Sequence, residues 1–156
     1  MIKPLLTAAL LTIWASMASA QVDITDAWVR ATVQGQKATG AFMNLTAKTD
    51  SRLVGVQTEA AAVAEIHEMK MEKDVMRMQR VPSLALPAGK TVSLKPGSYH
   101  VMLMGLKEPL PLDSHVQLTL IFEDAKGVKS QQELHLMTTQ NAPGATGKPA
   151  DAHHNH

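Results

Sequence analysis

The sequence predicts an all-β fold, a Greek-key sandwich or small barrel. From residue 22 onward, short segments alternate apolar and polar positions, as half-buried strands do. Clusters of Gly, Asp, Lys, Ser and Pro interrupt them at short, regular intervals, and no segment keeps a helical period long enough to compete.

The elements follow in order. "VDITDAWVRATV" (22–33) leads through "QGQK" into "GAFMNLTA" (40–47), and "KTDS" turns the chain into "RLVGVQTE" (52–59). "VAEIHEMKM" (63–71) and "VMRMQRV" (75–81) are joined by "EKD", which reads as a tight hairpin. "PSLALPAGK" (82–90), with two prolines, reads as a loop before "TVSLKPG" (91–97) and "SYHVMLMGL" (98–106). After the loop "KEPLPLDS" come "HVQLTLIFE" (115–123), the turn "DAKG" and "VKSQQELHLM" (128–137), giving eight or nine strands.

Both ends differ from this pattern. "MIKPLLTAALLTIWASMASA" has an early lysine, an apolar run and small residues at Ala18 and Ala20, the form of a secretory signal peptide cleaved between Ala20 and Gln21. Its apolar run is shorter than the roughly 18 to 20 residues that span a bilayer, so no stable membrane insertion is expected once it is removed. After Met137 the chain becomes small, polar and rich in Pro and Gly, which predicts a disordered, histidine-containing tail. The expected organisation is a signal peptide at 1–20, a β domain at 21–138 and a tail at 139–156, in an extracytoplasmic setting.

Composition narrows the function. Lys+Arg 15 against Asp+Glu 14, without a basic run, leaves nucleic acid nothing to bind. The compartment permits disulfides, yet there is no cysteine, while Met numbers 10 and His 7. With aromatics at only 3%, the simplest role for methionine is to fill the core.

The hairpin "EIHEMKMEKDVMRMQR" (65–80) suggests another role. In a strand His67, Met69 and Met71 share one side, and a turn over 72–75 sets Met71 opposite Met76 and Met69 opposite Met78. Glu68 and Lys70 fall on the other side, which reads as the solvent face. "YHVMLM" repeats the pattern with His100, Met102 and Met104. Neutral imidazole with thioether suits Cu(I), a soft cation, without the thiolates that an oxidising compartment tends to convert to disulfide.

The spacing His67, ten residues, Met78, twenty-one residues, His100, one residue, Met102 resembles the signature of the periplasmic copper chaperone family PCu(A)C. "DAWVRAT", "EIHEMKMEKDVMRM" and "LKPGSYHVMLMGL" are similar to blocks of that family, and the resemblance runs from about Val22 to Met137. It implies a cupredoxin-like β-barrel that binds Cu(I) near its surface through His67, Met78, His100 and Met102. It further implies a carrier that helps deliver copper to the CuA centre of cytochrome oxidase, often beside a thioredoxin-like Sco protein. Met69, Met71, Met76 and Met104 fall outside the pattern and read as an apolar collar around the metal, with one of them serving as an alternative ligand as the second reading. Some relatives carry a His- and Met-containing extension that binds Cu(II), so His135, Met137, His153, His154 and His156 form a possible second copper site. His115 is given no role.

Sequestration for copper tolerance would use the same ligands, and a methionine patch that binds a protein by packing alone is a third reading. An enzyme is not expected, because no nucleophile–base constellation is evident and four ligands leave Cu(I) no open position.

Overall fold

The computed structural model describes residues 22–144. The expected signal peptide lies outside the described residues, as do His153, His154 and His156.

Among the described residues there are ten strands and no helix: β1 (Val22–Arg30), β2 (Ala38–Ala47), β3 (Ser51–Gln57), β4 (Ala61–Glu72), β5 (Val75–Arg80), β6 (Leu84–Leu86), β7 (Thr91–Leu94), β8 (Tyr99–Leu106), β9 (His115–Asp124) and β10 (Lys129–Thr139). They form an open sheet in the order β5-β4-β8-β2-β1-β10-β9-β3-β6, with β7 beside β2. The pairing of β1 with β10 is parallel, at Val29 with Thr138 and Arg30 with Thr139, and it joins two antiparallel layers. Ala41, Met43, Leu45, Val101 and Leu103 from one layer pack with Leu53, Leu118, Leu120 and Phe122 from the other in a single core. The all-β, cupredoxin-like expectation holds.

One strand was not expected from the sequence, and several strand ends differ from the sequence reading. The segment read as a loop at 82–90 contains β6, which pairs with β3 at Ser51–Leu86 and Leu53–Leu84. Leu84 and Leu86 are buried on either side of exposed Ala85. This three-residue alternation is hidden between flanking prolines. β10 also runs on to Thr139, because Thr138 is fully buried and its backbone N–H donates to the Ser114 carbonyl.

The layer of β5, β4, β8 and β2 positions the histidines and methionines. The turn joining β4 to β5 has Lys73 at φ 49° and Asp74 at φ 61°, the double left-handed geometry of a type I′ hairpin. That two-residue turn sets the expected register, Met71 with Met76, Met69 with Met78, and His67 with Arg80. β8 then places His100 beside His67 and Met102 beside Glu65, and β2 places Gly40 beside Met102.

The facing of this layer differs from expectation. Ile66, Val101 and Leu103 point into the core, so by alternation Glu68 and Lys70 lie on the inner side and His67, Met69, His100 and Met102 on the outer. Glu68 and Lys70 nonetheless avoid burial because the hairpin runs out past the core, and every residue of β5 is exposed. Methionine is scarcely a core residue here. Of the described methionines only Met43 is buried, while Met71, Met76 and Met78 are 61%, 44% and 47% exposed.

Candidate metal centre

The outer face of β8 and β2 has a floor of its own, separate from the main core. Trp28 and Phe42 are both 4% exposed, and their ring centroids are 4.6 Å apart. A bulge between Thr25 and Trp28, with Asp26 at φ 52°, breaks the alternation of β1, so that consecutive Trp28 and Val29 are both buried. The Arg30 guanidinium lies over both rings, 5.8 Å from the Trp28 centroid and 5.3 Å from that of Phe42. A Cβ at Gly40 would stand 2.7 Å from Phe42 Cζ, so glycine is what lets the ring lie flat along β2.

Above this floor is an open cleft of about 280 Å3, lined by Arg30, Phe42, Met69, Met78, His100 and Met102 among others. Three of the four motif residues therefore share one concavity. His67 lies beside it, its ring centroid 5.9 Å from that of His100. Met69, read from the sequence as part of a collar, lines the cleft as well.

Hydrogen bonding fixes which imidazole nitrogens are free. A carboxylate can only accept, so His67 Nε2–H donates to Glu65 Oε2 at 2.9 Å, and the lone pair falls on Nδ1. Nδ1 is buried and has no hydrogen-bond partner among the described residues. Leaving such an atom unsatisfied costs about 1–3 kcal/mol, which an incoming cation would offset. His100 has the opposite arrangement: Nδ1–H donates to the Ser98 carbonyl at 3.1 Å, leaving the Nε2 lone pair. Each ring thus has one nitrogen held by oxygen and one available, the support that metal-binding histidines usually have. Glu65 is anchored in turn by Arg80 at 3.4 Å.

The donor set favours a soft ion. Among the described residues no three His, Asp or Glu side chains gather to hold a metal, so a metal centre here must draw on the thioethers.

His100 is only 6% exposed. Burial holds its pKa below the usual 6.5; the Ser98 hydrogen bond acts against this, and the nearness of His67 and the Arg30 charge adds to the depression. The unfolded chain therefore takes up this proton at higher pH than the folded one. The apo protein should keep the full contribution of neutral His100 above about pH 6.5 and lose it progressively as pH falls below that value. Since only neutral imidazole binds metal, His100 should remain a competent ligand to a lower pH than free imidazole. Urea titrations of apo His100→Gln and wild type across pH 5 to 8 check this. The wild-type advantage should shrink on acidification.

The other predicted residues lie elsewhere. His135 and Met137 are exposed on β10, which is separated from β8 by β2 and β1. His135 Nε2 donates to Glu133 Oε1 at 3.1 Å, and Met137 pairs with His115 on β9. His115 was given no role from sequence, and only the β9–β10 register brings it beside Met137. Arg30 and Glu65, which the structure sets at or behind the cleft, were not singled out from the sequence. Arg30 lies within "DAWVRAT", but its link to the cleft depends on how β1 reaches β8 through β2.

Comparison with known proteins places the chain in a family and gives its fold. The profile of the LpqE-like family, described as "Putative lipoprotein LpqE-like", matches residues 22–143. The chain belongs to the LpqE-like family. A relative within reach of it is "Putative lipoprotein Lxx21020" of Leifsonia xyli subsp. xyli, 36% identical over 104 residues, which are 66% of this chain and 63% of that protein. This chain thus spans less than two thirds of the relative's length. Among solved structures, the Cu(I) form of DR1885 from Deinococcus radiodurans is 27% identical, with TM-score 0.57 over 82% of this chain and 83% of that one. The copper-bound PCuAC domain from PmoF2 superposes with TM-score 0.58 at 22% identity, over 78% of this chain and 97% of that domain. The LpqE-like chain therefore has the PCuAC fold, in line with the resemblance carried by its His/Met spacing.

Proposed function

We propose that this protein is an exported Cu(I) carrier that holds one ion through His67 Nδ1, His100 Nε2 and the sulfurs of Met78 and Met102. The observation that carries this reading is the pair of histidines. Each commits one nitrogen to an oxygen acceptor and keeps the other free, beside a cleft lined by thioethers. The fold shared with copper-bound PCuAC domains supports the same ion, and the lipoprotein family supports export, with the periplasm as the expected compartment. No enzymatic role is proposed.

Copper would be cargo, passed toward the CuA centre of an oxidase subunit, with a Sco-type protein as companion in delivery. The cleft is open, and Met78 is 47% exposed, so an incoming ligand can reach the metal before the outgoing ones have all left. A second, weaker Cu(II) site on His135, Met137 and the tail histidines His153, His154 and His156 belongs to the same proposal.

A transfer assay separates carrier from store. Cu(I) should pass to a purified CuA-domain acceptor faster than it dissociates into buffer, at a rate that rises with acceptor concentration. A rate equal to spontaneous release and independent of acceptor would favour sequestration.

A further inference from the structure

The proposed centre leaves Met71 and Met76 without a task. They are cross-strand partners beside the hairpin turn, 61% and 44% exposed, on the same face as Met69, Met78 and His67. Packing does not explain them, since β5 is an edge strand with every residue exposed. For an exposed strand, Val, Ile or Thr would be the better formers, and an apolar edge invites unwanted pairing. What methionine offers there is a sulfur donor.

The geometry suits that use. Directly opposed residues on one face have Cβ atoms about 4.5–5.5 Å apart, and unbranched thioether arms can bring two sulfurs to one ion. The Met71–Met76 rung lies next to the Met69–Met78 rung, and both residues of the latter line the cleft. The hairpin's charged pair, Glu72 with Arg77, is on the opposite face by alternation, its atoms 3.3 Å apart. Sulfur donors thus form a continuous ladder from the hairpin tip to the histidines.

We propose that Met71 and Met76, with Met69 as third donor, form an outer Cu(I) site that loads and unloads the inner one through the Met69–Met78 rung. This rests on the reading of the cleft as a Cu(I) centre and goes beyond it. Each step exchanges one thioether for another at an ion that keeps its charge and oxidation state, so no proton, electron or co-reactant is needed. Lacking a nitrogen donor, the outer site binds more weakly than the inner, and the ion moves inward unless an acceptor draws it out.

The test uses the folded protein carrying 13C-methyl methionine, titrated with Cu(I) under reducing conditions and with Ag(I) as a redox-inert probe. The first equivalent should shift the methyl signals of Met78 and Met102, and the second those of Met71 and Met76. The double variant M71L/M76L keeps an apolar surface without sulfur, so it should lose the second event and retain the first. Met71 and Met76 signals that stay in place under excess ion, or a second event that survives in M71L/M76L, would overturn the proposal. Met78 and Met102 signals that never move would instead overturn the inner centre, and the relay with it.

Discussion

Replacing Met78 or Met102 by leucine should weaken Cu(I) binding by more than about 100-fold while leaving the apo fold nearly intact. Loss of a residue that merely supports a ligand typically costs about 10–100-fold in metal affinity, so loss of a ligand should cost more. Met-to-Leu exchange conserves volume and usually costs less than about 1.5 kcal/mol even in a core. Met78 is half-exposed and Met102 only partly buried, so the cost here should be smaller still. Chelator competition and urea denaturation on the same samples check both halves. Unchanged affinity in both variants would remove the thioethers from the site.

The reverse behaviour is expected where the two layers meet. Phe122 is fully buried in the shared core, and Phe122→Ala should destabilise the protein by about 3–5 kcal/mol, because the cavity cannot close. Against a total stability on the order of 5–15 kcal/mol, that loss would be severe. Phe122 lies outside the cleft, so the fraction that remains folded should bind Cu(I) as wild type does. Thermal unfolding with and without the ion gives the comparison. A Phe122→Ala protein as stable as wild type would mean that the core is misassigned.

Much of the candidate site's layout could be read from sequence because its parts are local. Alternation in 65–72 and the two-residue turn at Lys73 and Asp74 determine which methionines face each other, and both lie within one hairpin. The repeat at His100 and Met102 sits in a neighbouring strand of the same layer. The outward facing of that layer was harder to see, since it depends on which side the second layer covers. Glu68 and Lys70 look solvent-facing because they are polar, and they escape burial only because the hairpin overruns the core. The Trp28–Phe42 floor and Arg30 needed the β1 bulge and the β1–β2 register, which no local pattern in "VDITDAWVR" announces. β6 was hidden because two leucines flanking one alanine carry too short an alternation to outweigh the adjacent prolines.

His67 Nδ1, buried and without a hydrogen-bond partner among the described residues, is the observation that the proposed copper centre accounts for most directly. Its tautomer is held by Glu65, and that carboxylate by Arg80, so the supporting shell is already in place without metal. X-ray absorption at the copper edge of protein loaded with one equivalent of Cu(I) tests this donor set most directly. The spectrum should show a Cu(I) ion with both imidazole nitrogen and sulfur in its first shell, the sulfur contribution falling in Met78→Leu and Met102→Leu. A first shell of nitrogen and oxygen alone would contradict a mixed imidazole–thioether centre.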